Sequence, residues 1–341
     1  MANIMVNEAC NLRCPYCFAE EFVNKNTQEM TVEDFRTALD FAMSDKDDRQ
    51  VGIIGGEPLL YTHIDEVMRI ALSDPRTEIV MIYTNAVELD RLAPEILLAK
   101  KFRMLVNCNS PEDMGEKAFE KMRQNLLRFE REFMGEGRFR LSVNIYKPDF
   151  DYSYVMKLVE EIGFDVIRLS ISVPQNGDLG GRLPLDYFVE MKHTAMKFVA
   201  DMIQLGVLTG FDCNFLPPCV LTHDEFDTMM DVKDVFYREL SQQYSEMFWQ
   251  RAIVCEMHNC TPVIDILPVL RAIRCFGMSE YTKQDIRDFK DINELRRFYV
   301  NQVDLPAQSK WADDRCADCY SREIGSCSGG CLIFKADQLF T

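Results

Sequence analysis

The sequence predicts an α/β fold, a partial (β/α)6-type TIM barrel followed by a small C-terminal cysteine-rich α+β extension. Two observations predict it. Short apolar runs alternate with longer amphipathic runs over the first two-thirds of the chain, as in a parallel sheet with right-handed helical crossovers. This alternation stops at Pro217-Pro218, and the remainder is irregular and bears many cysteines. A doubly wound open sheet is the alternative, and both folds place a site at the carboxyl ends of the strands.

Seven apolar runs fit the strands of this sheet. Each is short, rich in aliphatic or aromatic residues and bounded by polar or turn residues, as buried parallel strands are. The runs are Ile4–Val6, Val51–Ile54, Ile79–Tyr83, Phe102–Val106, Phe139–Ile145, Val166–Val173 and Gly210–Phe215.

Amphipathic runs fit the helices. Thr31 and Thr62 each precede an acidic residue by three positions, which is the pattern of a capped helix start. Pro184 suits the first turn of a helix. Helices are predicted over Glu88–Ala99, Pro111–Phe133, Tyr152–Ile162, Leu185–Leu205, Thr222–Trp249 and Ile292–Val303. We therefore predict a barrel domain over residues 1–218, and a linker helix with the extension over residues 219–341.

Composition limits the classes of function. The formal net charge of −17 over 341 residues disfavours nucleic acid and anionic membranes, because binding to phosphate needs clustered Lys and Arg. A basic partner would be attracted instead. The N-terminus has no basic segment followed by an apolar run, and no run reaches the ~20 apolar residues of a membrane span. We expect a cytoplasmic protein.

The 13 cysteines are unevenly distributed. Clustered cysteines in a reducing compartment favour metal or redox chemistry over disulfides. Three fall between the clusters and are interpreted as small core residues, although two of these lie near the expected barrel rim. The clusters are Cys10, Cys14 and Cys17, then Cys255, Cys260 and Cys275, then Cys316, Cys319, Cys327 and Cys331; the three between them are Cys108, Cys213 and Cys219.

The first cluster reads Cys10-Asn-Leu-Arg-Cys14-Pro-Tyr-Cys17, directly after the first predicted strand. Three thiolates on one loop can hold three irons of a cubane and leave the fourth iron open, as a catalytic metal site requires. The alternative is a structural three-cysteine zinc or iron site completed from elsewhere in the chain.

This cysteine pattern resembles the radical S-adenosylmethionine (SAM) superfamily. The resemblance implies that the open iron of a [4Fe–4S] cluster chelates the amino and carboxylate groups of SAM. It also implies that an electron from the cluster splits SAM into methionine and a 5′-deoxyadenosyl radical, which takes a hydrogen atom from the substrate. Tyr16 would lie near the adenine by the same resemblance.

A second motif strengthens the resemblance. Gly55-Gly56-Glu57-Pro58 follows the second predicted strand, and the family uses this run to receive the amino group of SAM. Thr84-Asn85-Ala86 resembles the family's Thr-Asn-Gly, with alanine in place of glycine. The fourth strand ends in Asn107-Cys108-Asn109, where many relatives read Ser-x-Asp, so this resemblance leaves the ribose and carboxylate contacts of SAM unassigned.

The C-terminal cysteines resemble the SPASM extension of radical SAM enzymes, or its shorter twitch form, which hold auxiliary [4Fe–4S] clusters. The resemblance assigns Cys255, Cys260, Cys275 and Cys331 to a first auxiliary cluster, and Cys316, Cys319 and Cys327 to a second. The pattern includes a further cysteine after Cys331, and none follows before Thr341. The second cluster is therefore expected to have an open iron, to use Asp337 or to be absent.

Three alternatives stay open for the extension. A single twitch-like cluster would use Cys260, Cys275, Cys316 and Cys319. A zinc ribbon also fits two cysteine-rich knuckles. His258 stands between two of the cysteines and is a further candidate ligand, although a lone histidine is more often a surface residue.

The resemblance implies oxidative modification of a peptide or protein, such as a thioether or carbon–carbon crosslink or conversion to formylglycine. The chain starts at the first strand, so substrate recognition is expected from the barrel, the extension or a separate leader-binding protein. An electron donor such as flavodoxin or ferredoxin is implied. Dehydrogenation of a small molecule is one alternative, and a non-catalytic iron–sulfur or zinc protein is another. No general base is identified, although Asp212 and Asp265 lie in plausible regions.

Overall fold

The computed structural model describes residues 2–133, 137–173, 177–211, 215–243, 263–323 and 327–340. The chain forms two compact units. The first contains Met1–Leu141, Ser153–Gly163 and Pro262–Val300, and the second contains the segments Ser142–Tyr152, Phe164–Thr261 and Asn301–Thr341. The first unit thus includes part of the segment that the sequence assigns to the extension, and a domain boundary at residue 218 remains a prediction.

The strands occur close to where apolar runs predict them. The first six predicted strands are present, with bounds shifted by a few residues at most. The seventh, Gly210–Phe215, overlaps β7 at Gly210 and Phe211, and its residues 212–214 lie outside the described residues. Three short strands follow. They are β1 Ala2–Met5, β2 Gln50–Ile54, β3 Ile79–Thr84, β4 Phe102–Asn107, β5 Phe139–Ile145, β6 Val166–Ile171, β7 Leu208–Phe211, β8 Ile264–Ile266, β9 Arg271–Ile273 and β10 Gln284–Asp285.

The first unit is built on a parallel sheet in which β1, β2, β3 and β4 pair in chain order. β8 pairs with the other side of β1, also in parallel, and continues through antiparallel β9 to the edge strand β10. In the second unit, β6 and β7 pair in parallel. In the described residues the sheet is open, with β10 at its edge, which confirms the prediction of a partial (β/α) barrel.

Helices connect successive strands, as the alternation predicts. Those that follow β1 to β7 along the chain are α1 Val32–Ala42, α2 Ile64–Ser73, α3 Pro94–Leu97, α4 Pro111–Met114, α5 Glu116–Phe133, α6 Ser153–Ile162, α7 Pro184–Gln204 and α8 His223–Gln243. Further α-helices span Ser279–Thr282, Ile292–Tyr299, Leu305–Ala307, Tyr320–Glu323 and Ala336–Leu339. In the described residues, no helix is both long and apolar enough to cross a membrane.

Two predicted helix starts differ in outcome. Thr31 caps α1, because its side chain accepts a hydrogen bond from the backbone N–H of Asp34 at 3.0 Å. Thr62 does not cap α2, which begins after His63. The backbone N–H of Thr62 donates instead to Glu29 at 3.2 Å, a contact made with a distant part of the chain.

Two predicted helices are interrupted. The run 88–99 forms a short 3-10 turn, Leu89–Arg91, and then α3, which starts at Pro94 because a proline lacks the N–H needed inside a helix. The run 111–133 divides at Gly115, whose φ of +85° is outside the helical region.

Parallel register aligns the ends of the first four strands. Met5 pairs with Ile54, Ile53 with Ile82, and Thr84 with Val106. The loops that follow β1, β2, β3 and β4 therefore leave the sheet at one edge. The predicted cofactor residues lie on the loops after β1 and β2 and at the end of β3, where Thr84 is the last residue of the strand and Asn85 follows it.

Candidate functional site

The cysteine loop follows β1 and is tied to the loop after β2. The side-chain amide of Asn7 donates to the carbonyl of Glu57 at 3.0 Å, and the backbone N–H of Gly56 donates to the carbonyl of Asn7 at 2.9 Å. The backbone N–H of Glu57 donates to the carbonyl of Ala9 at 2.7 Å. These bonds fix where the chain enters Cys10.

Hydrogen bonds within the loop hold Cys10 in place. Asn24 accepts from the backbone N–H of Cys10 at 2.9 Å and donates to its carbonyl at 3.1 Å. Asn24 has a φ of +56°, a left-handed conformation that asparagine adopts more readily than most residues. The backbone N–H of Leu12 donates to the sulfur of Cys10 at 3.4 Å, and that of Cys17 to the carbonyl of Cys14 at 3.2 Å.

Aromatic packing supports the far end of the loop. The ring of Phe276 lies edge-on to Phe18 and Phe22, with centroids at 5.0 Å and 5.8 Å. Cys17 packs against the buried cluster that contains Phe22 and Phe276. Cys275, a predicted auxiliary ligand, is the residue before Phe276, so the segment after β9 stabilises the loop that carries Cys17.

The thiols of the loop influence one another electrostatically. Burial, and to a smaller degree the neighbouring thiols, raise the pKa of Cys10 to about 11 and that of Cys14 to about 12. Burial likewise raises the pKa of Cys17. A bound cation would instead lower the pKa of these thiols, because metal coordination favours the thiolate.

The donor set fits an iron–sulfur cluster. In the described ranges, no three His, Cys, Asp or Glu side chains converge as a single metal ion requires. Each thiolate that ligates a cubane binds a different iron, so three sulfurs spread along one loop suit a cluster. Thiolates are soft ligands, which select iron–sulfur clusters, zinc or Cu(I).

Gly55 and Gly56 lie against the chain that enters the cysteine loop. A Cβ on Gly56 would stand 2.5 Å from the carbonyl oxygen of Ala9 and 2.7 Å from that of Glu8. A Cβ on Gly55 would stand 2.1 Å from the side-chain oxygen of Asn7. The two loops approach so closely that Gly56 has no room for a side chain.

The carboxylate of Glu57 is buried and is used within the chain. It accepts hydrogen bonds from the hydroxyl of Thr84 at 2.6 Å and from the backbone N–H groups of Asn85 at 2.8 Å and Leu59 at 3.0 Å. Burial raises the pKa of Glu57 to about 7, against these bonds, which lower it. Glu57 thereby joins the loops after β2 and β3. Pro58, the next residue, starts the turn Pro58–Leu60.

The loop after β3 also reaches the cysteine loop. The side-chain amide of Asn85 donates to Asn11 at 2.8 Å, and its carbonyl accepts from the backbone N–H of Val87 at 3.0 Å. Ala86 has a φ of +57°, in the left-handed region that glycine adopts without strain. This conformation explains why the motif it resembles has glycine at this position.

Asn109, at the end of β4, contacts two residues of the cysteine loop. Its amide N–H donates to the sulfur of Cys14 at 3.2 Å, and its amide oxygen accepts from the hydroxyl of Tyr16. Asn109 is buried. No role for Asn109 is predicted from the sequence, although its place in the altered Ser-x-Asp motif was the available signal. Asn24 was also missed, and nothing in its local sequence indicates its contacts.

In the second unit, several cysteines surround one cavity. Of the predicted ligands, Cys316, Cys319, Cys327 and Cys331 line it. Cys219, interpreted from sequence as a core residue, lines it too and is exposed. Cys255, Cys260 and His258, with Cys213 and Asp212, lie outside the described residues.

Two basic side chains lie near these cysteines. Lys335 is completely buried and donates to the carbonyls of Ala307, at 3.3 Å, and Ser328. Burial lowers the pKa of Lys335, and the nearby thiols of Cys327 and Cys331 oppose that shift. Arg322 lies over the ring of Trp311, with its guanidinium carbon 4.7 Å from the centroid. Such charges would partly offset the negative charge of a thiolate-ligated cluster.

Two acids, Asp212 and Asp265, lie in sequence regions that are plausible for a general base. Asp265 has a structural partner, and Asp212 lies outside the described residues. Asp265 is buried on β8 and accepts a hydrogen bond from Asn3 at 2.7 Å, while burial raises its pKa to about 6. It lies opposite Asn3 of β1 in the parallel pairing of β8 with β1. No general base is assigned.

Part of the chain is similar in sequence to known proteins. Residues 4–133 match the Radical SAM superfamily. GTP 3′,8-cyclase from Chlorobaculum tepidum is 41% identical over 88 residues, which is 26% of each chain. The Listeria welshimeri GTP 3′,8-cyclase is 34% identical over 108 residues, or 31% of this chain and 32% of that protein. The matches thus span about a quarter to a third of these curated relatives.

Solved structures resemble the fold over almost all of the chain. Streptococcus suis SuiB bound to the precursor peptide SuiA has a TM-score of 0.63 and 19% identity, covering 97% of this chain and 71% of SuiB. Native anSMEcpe with bound AdoMet and the Cp18Cys peptide has a TM-score of 0.64 and 15% identity, covering 97% and 88%. At these identities, the likeness concerns the fold.

Proposed function

We propose that this chain, which carries a Radical SAM superfamily domain over residues 4–133, cleaves SAM reductively and abstracts a hydrogen atom from a peptide or protein substrate. The expected product is an oxidative modification: a thioether or carbon–carbon crosslink, or formylglycine. The observation that carries the proposal is the hydrogen-bonded set of loops after β1, β2, β3 and β4, which brings three cysteines together with the glycine-rich run.

Cys10, Cys14 and Cys17 are the proposed ligands of a [4Fe–4S] cluster, which when bound would supply the electron that cleaves SAM. The chain's own residues hold the surroundings. Glu57 and Asn85 fix the loops that line the site, and the Gly55-Gly56 backbone allows close approach. Because the carboxylate of Glu57 already accepts three hydrogen bonds, we propose that main-chain carbonyls of this run receive the amino group of SAM.

Tyr16 and Thr84 have different proposed roles. The hydroxyl of Tyr16 donates to Asn109, which would orient its ring for contact with adenine. The hydroxyl of Thr84 donates to Glu57, so we propose that Thr84 positions the loop and does not itself contact SAM.

Two observations support a peptide substrate. The fold resembles SuiB and anSMEcpe over 97% of this chain, and both were solved with bound peptides. The net charge of −17 would attract a basic peptide, since opposite charge raises the rate of encounter.

The GTP 3′,8-cyclases favour a second candidate, a radical reaction on a small molecule. Their similarity covers only 26% and 31% of this chain, and SAM chemistry shared across the superfamily would account for it. The negative net charge also opposes long-range attraction of a nucleoside triphosphate. We therefore rank the peptide first.

The test is to incubate the anaerobically reconstituted protein with SAM, a reductant and either a peptide encoded beside its gene or GTP. We expect 5′-deoxyadenosine with a changed peptide mass and unchanged GTP. Deoxyadenosine with conversion of GTP alone would favour the second candidate. Absence of deoxyadenosine from protein that contains the cluster would reject radical SAM activity itself.

Replacement of Asn109 should change the reduction potential of the cluster at Cys10, Cys14 and Cys17. In Asn109→Asp, a carboxylate replaces the amide N–H that donates to Cys14, and both the lost hydrogen bond and the added charge disfavour the reduced cluster. A difference of about 1 kcal/mol between redox states corresponds to roughly 40 mV for one electron. We expect a more negative midpoint in an EPR-monitored redox titration.

Asn109→Gln is the matched control, since it keeps an amide donor at this position. It should shift the potential less than Asn109→Asp. An equal midpoint in Asn109→Asp and the parent protein would contradict a role for this hydrogen bond.

A further inference from the structure

Cys219 lies in a short 3-10 turn, Pro218–Val220, immediately before α8. It lines the same cavity as Cys316, Cys319 and Cys327, although nearly a hundred residues separate it from them in sequence. The fourth ligand of the second auxiliary cluster is not identified by the sequence. We propose that Cys219 is this fourth ligand, completing an iron–sulfur cluster with Cys316, Cys319 and Cys327.

Apolar side chains form much of the wall of the cavity. Apolar residues, including Leu185, Phe188 and Phe334, line it together with the cysteines. Such walls limit the access of water, which is one of the properties that sets the potential of a metal centre. Pro217 and Pro218 precede the thiol and restrict the backbone there, because each proline fixes its own φ.

The thiol of Cys219 is coupled electrostatically to other cysteines of the cavity. Burial raises the pKa of this thiol to about 11, and the thiols of Cys316, Cys319 and Cys327 contribute to the rise. This coupling agrees with the lining of the cavity, which contains the same four cysteines.

Four cysteines are the usual complete ligand set of a [4Fe–4S] cluster. With Cys219 bound, no iron of this cluster would be open to a substrate thiolate. The cluster would then be suited to accept the electron that remains after hydrogen abstraction. That the metal is an iron–sulfur cluster rests on the proposed function, while the ligand assignment rests on the cavity.

The experiment uses the full chain with Cys10, Cys14 and Cys17 all changed to alanine, so that any bound iron belongs to the auxiliary sites. Into this parent we introduce Cys219→Ala, with Cys327→Ala as the positive control and Cys108→Ala as the matched control. Cys108 is buried in the first unit and does not line the cavity. Iron, sulfide and EPR spectra are measured after anaerobic reconstitution.

We expect Cys219→Ala and Cys327→Ala to lose the same iron or to acquire the same altered EPR signal, and Cys108→Ala to match the parent. An unchanged cluster in Cys219→Ala, with loss in Cys327→Ala, would overturn the proposal. The proposal would also be overturned if Cys331→Ala lost the same iron as Cys327→Ala while Cys219→Ala did not.

Alkylation provides a readout that does not depend on whether the variants fold. In the unmodified full chain, Cys219 should be protected from iodoacetamide when the cluster is bound, and should be labelled after the iron is chelated, since its side chain is exposed in the polypeptide. Equal labelling before and after chelation would overturn the proposal. These outcomes are separate from the formation of deoxyadenosine, so either the ligand assignment or the radical SAM activity can fail alone.

Discussion

Replacement of Cys14 by alanine is expected to abolish the formation of 5′-deoxyadenosine from SAM. Cys14 is the central cysteine of the loop after β1, and its sulfur accepts a hydrogen bond from Asn109. Without it, only two thiolates would remain for a cubane that needs three protein ligands to leave a single iron open. We therefore expect loss of the cluster's iron, and a fall in turnover by a factor of at least about 10³, which corresponds to roughly 4 kcal/mol.

Cys108→Ala is the matched control for Cys14→Ala. Cys108 is one residue from Asn109 and only 1% exposed, and its carbonyl, which alanine retains, accepts a hydrogen bond from Tyr154 at 3.0 Å. Loss of the Cys108 thiol should cost about 1 kcal/mol of stability, as many single substitutions do. It should leave the iron bound to the loop after β1 in place. Turnover by Cys14→Ala at the rate of Cys108→Ala would contradict the assignment of the cluster.

The parallel part of the fold could be predicted because its signals are local. Each strand from β1 to β6 coincides with an apolar run, since both faces of a parallel strand are covered and the run is nearly continuous. Helix boundaries were less predictable. Thr31 caps its helix, but the equivalent Thr62 has its N–H bonded to Glu29, a residue brought near by tertiary folding. The capping pattern in the sequence does not reveal that a distant residue, Glu29, binds the backbone of Thr62.

In the candidate site, too, local motifs could be predicted and contacts between distant residues could not. The cysteine and glycine motifs are short and contiguous, so the sequence identifies them directly. The contacts of Asn24, Asn109 and Cys219 join positions separated by 14 to 95 residues or more, and they depend on which loops meet. The burial of the Glu57 carboxylate against Thr84 and Asn85 is likewise a product of strand register. Sequence spacing carries no information about these approaches.

The substitution Gly56→Ala should disrupt the site through the backbone. The new methyl group would lie 2.5 Å and 2.7 Å from the carbonyl oxygens of Ala9 and Glu8, and main-chain atoms cannot rotate away as a side chain can. The chain entering Cys10 must shift, which strains the bonds from Gly56 to Asn7 and from Glu57 to Ala9. Overpacking of this kind costs about 1–3 kcal/mol or more.

We expect Gly56→Ala to lower the melting temperature and to weaken SAM binding at least about tenfold, a factor worth roughly 1.4 kcal/mol, in calorimetric titration of the reconstituted protein. Gly163→Ala separates general destabilisation from damage to the site. Its φ of +83° makes alanine unfavourable there by about 1–2 kcal/mol, yet a Cβ would meet no atom within 4 Å. Gly163→Ala should thus lose stability and keep its affinity for SAM. If Gly56→Ala also kept that affinity, the close approach of the two loops would not be what shapes the SAM site.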